Sequence, residues 1–153
     1  MLPVRRLLLA LVVAAAVLGL AACGGSGHKS SPPTTNSTAA DQAQIKANYA
    51  KFFSGKTAVS DRVALLQNGA KLRPVIQAFA SNPLAKNASA KVSSVTLQGP
   101  NKAKVVYTVN VAGTSLPKLT GTAVRQNGTW KVGSASLCKL VELQGSTPAA
   151  CKP

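Results

Sequence analysis

Residues Leu7 to Ala22 form a run of sixteen uncharged, almost wholly apolar side chains, preceded by Arg5 and Arg6 and ended by Leu20-Ala21-Ala22-Cys23. A positive n-region followed by a short apolar stretch is the pattern of a secretory signal. A membrane-spanning helix needs roughly twenty such residues, and here Gly24-Gly25-Ser26-Gly27 follows at once. The four residues ending at Cys23 have the form of a lipobox: a branched apolar residue, two small ones, then the thiol that receives a diacylglycerol. Cleavage is therefore expected between Ala22 and Cys23, leaving Cys23 as the lipid-bearing first residue on the extracytoplasmic face of the membrane. The alternative, an ordinary signal with a chance cysteine, leaves an unpaired thiol in an oxidising compartment. The paired arginines are followed only by leucines and alanine, which favours the general secretory route over the twin-arginine one.

This segment removes residues 1–22 from the fold. Residues 23–40 are next expected to be a linker, because Gly, Ser, Thr, Pro and Asn dominate and nothing larger than alanine is available for burial. The remaining 41–153 suffice for one domain, small enough to gain from a covalent staple. His28, the only histidine, falls in the linker, so histidine-based triads and histidine metal sites are excluded from the domain. No metal ligand set, cofactor motif or catalytic residue is expected.

Charge narrows the partners. Of eighteen basic residues, sixteen remain once Arg5 and Arg6 are removed, against only Asp41, Asp61 and Glu142, a net charge of +13. An exported chain with this excess meets anionic lipid and wall polymer rather than nucleic acid. Its lysines are scattered without interleaved aromatics, which also argues against a nucleic-acid face. Lys86, Lys91, Lys102, Lys104 and Lys118 are the candidates for docking on an anionic polymer or lipid if they share one face; if they ring the domain, solubility accounts for them.

The domain reads as helices followed by strands. Asp41 with Gln44 three residues on has the form of a capping box, and Ile45, Tyr49, Phe52 and Phe53 recur at helical spacing. Val59, Val63 and Leu66 predict a second helix, capped by Thr57 or Ser60 and stopped by a left-handed Gly69. Leu72, Val75, Ile76 and Phe79 predict a third, with Pro74 in its first turn and a break at Asn82-Pro83. Past Ala88 the period becomes two: Val105, Tyr107, Val109 and Val111 alternate with Lys104, Thr108 and Asn110. Flanking strands are predicted at 92–98, 118–126 and 129–135, with Asn127-Gly128 as a hairpin turn. Helices first and an antiparallel meander after them make the fold α+β, a curved sheet burying the helical stripes.

Beyond the last strand, Cys138 and Cys151 enclose twelve residues with a short helical piece near 139–143. In an exported protein these thiols pair. Closing such a loop contributes about 3 kcal/mol on the chain-entropy account. Catalytic redox pairs usually sit two residues apart, which separates this pair from them.

Several blocks resemble a known family. Phe52-Phe53, the run Val63 to Gly69, Gln77-Ala78-Phe79-Ala80, Asn82-Pro83-Leu84-Ala85, Gly128 to Val132 and the closing cysteine pair resemble the C-terminal domain of the mycobacterial low-molecular-weight antigen family of actinobacterial exported proteins. The resemblance implies a cone-like domain akin to the nuclear-transport-factor-two fold, on a secreted or lipid-anchored antigen without an assigned activity. Cones of this kind often hold an apolar pocket, and Tyr49, Phe52, Tyr107 and Trp130 are the residues expected to line one or fill it. The function expected is thus a lipid-anchored envelope protein with a non-catalytic domain that binds a ligand or partner of unknown identity, a small hydrophobic molecule or lipid being one candidate. Electrostatic docking is the alternative. An isomerase-like enzyme is the remote third, since three lone carboxylates supply no pair for acid–base work.

Overall fold

Ile45, Tyr49, Phe52 and Phe53 stand on one side of a single helix, and burying that stripe organises the chain. The computed structural model describes residues 35–152, with side chains from residue 38. The expected export segment, Ala22, Cys23 and His28 lie outside the described residues. Helix α1 (Thr35–Phe53) crosses the concave face of an antiparallel sheet, and its four apolar residues are all almost wholly buried. The helix begins six residues before the expected start at Asp41. Ala39 and Ala40 are strong helix formers that carry it upstream, and Asp41 is no cap: its carboxylate pairs with Arg125 at 2.6 Å.

Two short helices follow, α2 (Val59–Leu65) and α3 (Arg73–Ser81). Neither Thr57 nor Ser60 caps α2; its cap position is Ala58, without a side-chain bond. The left-handed residue that turns the chain is Asn68, with φ 53°, and not Gly69. Gly69 is needed for space, since a Cβ there would collide with the Val63 carbonyl. Helix α3 starts with Pro74 in its first turn, buries Val75, Ile76 and Phe79, and ends at Asn82, whose side chain accepts the Leu84 N–H in a following 3-10 turn, Pro83–Asn87.

One buried charge holds these helices together. Arg62 is 1% exposed and faces no carboxylate. Its Nε donates to the Thr57 carbonyl at 3.0 Å, its Nη2 to the Ser54 carbonyl at 2.6 Å, and the guanidinium lies 4.9 Å from the centre of the Phe79 ring. Burial disfavours its charged form. The carbonyls just past α1, at the negative end of the helix dipole, supply the compensation.

The strands are β1 (Ser89–Leu97), β2 (Lys102–Val111), β3 (Thr114–Ser115), β4 (Leu119–Gln126) and β5 (Thr129–Val132). Their order is β1-β2-β4-β5, with the two-residue β3 beside the end of β2. Ala103, Val105, Tyr107 and Val109 face the core, as the alternation requires. A register shift between Val92 and Ser94 marks a bulge in β1, which strengthens the curl of that edge. Asn127 and Gly128 both have positive φ, the requirement of a type I′ hairpin. Strand β5 ends at Val132 rather than at residue 135, because helix α4 (Ser134–Leu143) starts there and is longer than the piece expected near 139–143. The residue after α2, Leu66, makes a parallel bridge to Val132 and Gln67 N–H bonds the Val132 carbonyl at 2.8 Å, so the β5 edge is partly covered. None of the described helices is long and apolar enough to cross a membrane.

The tightest point is Gly121 on β4. A Cβ there would overlap Ser136 Oγ and come within 2.7 Å of Tyr49 Oη. Gly121→Ala is expected to cost about 2–3 kcal/mol through overpacking, read from urea denaturation. A smaller penalty in a Ser136→Ala background would confirm the contact; an equal one would refute it.

Candidate functional site

The four residues expected at a pocket converge inside the cone, and they fill it. Tyr49, Phe52 and Tyr107 are fully buried and Trp130 is 1% exposed. The Tyr49 and Tyr107 rings meet edge-on at 5.0 Å, Tyr107 stacks on Phe53 at 5.3 Å, and Phe53 meets Phe52 at 4.9 Å. Trp130 lies beneath the Arg125 guanidinium, 4.8 Å from the ring centre. All four belong to the packed core, the second of the two arrangements expected for them, and none borders the cleft or the recesses described below.

The interior holds hydroxyls and no carboxylate. Tyr49 donates to the Thr122 carbonyl at 2.7 Å, so in its 2.9 Å contact with Ser136 the serine donates. Ser136 Oγ in turn accepts the Thr122 N–H. Tyr107 Oη and Trp130 Nε1 have no hydrogen-bond partner among the described residues. Burial pushes the Tyr107 phenol up to about 12 and the Tyr49 phenol further, so both remain neutral at ordinary pH. All three carboxylates are engaged elsewhere: Asp41 with Arg125, Asp61 with Lys51 at 3.1 Å and Glu142 with Lys139 at 3.6 Å. No cluster of metal-ligating side chains occurs among the described residues.

An open cleft of about 650 Å³ lies outside the core, where three segments meet. Asn68, Lys71 and Leu72 come from the turn between α2 and α3; Ser134, Ala135, Cys138, Lys139 and Glu142 from α4; Ala150, Cys151 and Lys152 from the chain end. Cys138 and Cys151 are bonded, with Cα atoms 5.5 Å apart, and this bond joins two of the walls. Gly133 ends β5 and releases α4 so that Ser134 and Ala135, at the positive end of its dipole, border the cleft. Smaller recesses of about 230 and 340 Å³ lie between α3 and the α4 end, and beside Val63 and Lys131. Apart from the cysteines, no residue of the main cleft stands out in the sequence as a site candidate; the cysteine pair is the available signal, since it brings the chain end onto α4.

The docking lysines do not form one patch. Lys91, Lys102 and Lys104 lie on the outward face of β1 and β2, with Lys118 exposed just before β4, whereas Lys86 is on the 3-10 turn. Exposed cations also sit on the helical side, Lys46, Lys56 and Arg73 among them.

Residues 38–148 match the family described as low molecular weight antigen MTB12, C-terminal domain. The chain belongs to this family. Among curated proteins, none matches it. A solved NTF2-like transpeptidase from Campylobacter jejuni is similar with a TM-score of 0.41 and 11% identity, over 65% of this chain and 98% of that one. For this MTB12-type domain the two tyrosines make a direct comparison. Tyr49→Phe strands the Ser136 hydroxyl and removes one of the two donors to the Thr122 carbonyl, which keeps the Gly133 N–H, and is expected to destabilise by about 1–3 kcal/mol, while Tyr107→Phe removes a hydroxyl without a partner and is neutral or stabilising. The raised phenol pKa sets the pH dependence: stability is complete below the unfolded value near 10 and is lost as pH rises through about 12. Circular dichroism across that window should show a shallower alkaline loss for Tyr107→Phe.

Proposed function

We propose that this MTB12-type chain is a lipid-anchored envelope protein, held at the extracytoplasmic membrane face through Cys23, whose domain binds a ligand without catalysing a reaction and does so from its surface cleft. The observation that carries this reading is the contrast between the packed cone and the open cleft of about 650 Å³ bordered by the Cys138–Cys151 bond. Cavities of that volume suit small-molecule ligands. The tyrosines inside the cone are fully buried, and the described carboxylates pair with cations elsewhere, which supports a non-catalytic role.

Electrostatic docking is the second reading. The specific observation in its favour is that the outward face of β1 and β2 presents Lys91, Lys102 and Lys104 among serines and threonines, with no acidic residue in either strand. Cations on the other side of the domain weaken it, because a surface basic all round is also what solubility requires.

The anchor is tested by intact mass and detergent partitioning of the cell-expressed protein beside Cys23→Ala. A lipid adduct and a detergent-phase protein, both absent in the variant, are expected; a soluble, unmodified parent chain would remove the anchor from the proposal. Reductant should add the mass of two hydrogens to both. For the binding role, envelope lipid and glycan fractions are expected to slow amide hydrogen exchange at residues 134–139 and 150–152, and protection confined to α1 and β2 would return the site to the cone.

A further inference from the structure

We infer that the cleft beside the disulfide takes a phosphate-bearing organic anion, gripped by Lys71 and Lys152, and that the Cys138–Cys151 bond must be intact for it to bind. The inference rests on the reading of this cleft as the binding site. Three lysines line it, Lys71, Lys139 and Lys152, and among the described lining residues Glu142 alone carries a carboxylate. Glu142 is already engaged by Lys139, and no carboxylate of the described residues pairs with Lys71 or Lys152. Two ammonium groups brought from separate segments suit a dianion, and lysine is a common point-charge partner of phosphate.

The rest of the lining sets the size and character of the ligand. Leu72, Ala135, Ala150 and the disulfide give the cleft an apolar floor, so an inorganic ion alone would leave most of it uncovered. A polyol or sugar phosphate, or a phospholipid headgroup, occupies such a space with its body on the apolar part and its phosphate on the lysines.

The disulfide dependence follows from how the last wall is held. In the segment 149–152 the backbone bonds are local, Cys151 N–H to Pro148 and Lys152 N–H to Ala149. The covalent link to α4 at Cys138 is therefore what fixes Lys152 opposite the rest of the lining. Reduction frees that wall and takes Lys152 away from the site while α1 and the sheet retain their core.

The test titrates the full chain carrying Cys23→Ala with glycerol phosphate, inorganic phosphate, glycerol and octanol, read by amide shifts in 15N-labelled protein and by calorimetry. Saturable binding of glycerol phosphate is expected, with shifts at Lys71, Ser134, Ala135 and Lys152 and weaker binding of inorganic phosphate. Lys71→Gln with Lys152→Gln should weaken it about tenfold or more, dithiothreitol should abolish it with α1 shifts unchanged, and Lys102→Gln with Lys104→Gln should leave it intact. Where reduction unfolds the chain, Lys152→Gln with the bond intact decides the matter. Binding that follows the sheet lysines, or that ignores Lys152, overturns the inference. Octanol shifting the cleft amides where glycerol phosphate does not refutes the anion and spares the cleft; no shift from any probe removes both. Full-length phospholipid vesicles that compete with glycerol phosphate identify the headgroup as the source, and failure to compete leaves free phosphates.

Discussion

The hydroxyl of Tyr49 donating to the Thr122 carbonyl is the fixed point of this domain. It joins α1 to β4 at the place where β5 has run out, and there Ser136 and the Gly133 N–H complete the hydrogen bonding that a longer strand would have supplied. Unpaired backbone groups at a buried strand end are costly, so the side chains of two helices stand in for the missing partner. The absence of a side chain at Gly121 lets them come that close. Helix α4 is oriented by the same contact, and with it the cysteine that receives the chain end.

Charge is distributed by a comparable economy. Each of three carboxylates is committed to one cation, and the most buried cation, Arg62, is left to backbone carbonyls and an aromatic ring. Exposed pairs such as Lys51 with Asp61 contribute little to stability. The partly buried Arg125 is different, because it joins Asp41 of α1 to Trp130 of β5 and so ties the helix across the sheet. Lys131 donates to the Ala64 carbonyl, whereas exposed lysines such as Lys91, Lys102 and Lys104 pair with no carboxylate of the described residues and are available to solvent or to an anionic partner.

The apolar periods of α1, α3 and β2 are legible in the sequence because burial demands them and neighbouring residues agree with them. Element ends are less so. The Asp41 to Gln44 spacing imitates a capping box, yet Asp41 is drawn to Arg125, eighty-four positions away. Gly69 looks like a left-handed stop, but Asn68 tolerates that conformation and frees the glycine for a close contact with Val63. The four aromatic candidates lie together in the core, and whether such rings pack or leave space depends on how the sheet curls, to which a bulge and a shortened strand contribute that no local pattern announces. The cleft is hidden for the same reason: its three segments are distant in sequence, and one of them is joined to α4 by the disulfide.

The early start of α1 has a consequence for the proposed anchor at Cys23. With Thr35 already helical, only twelve Cα steps separate it from Cys23. Twelve such steps reach at most roughly 40 Å. If Cys23 carries the proposed anchor, the start of α1 lies within that reach of the headgroups, and what the domain meets is chosen by height as much as by affinity.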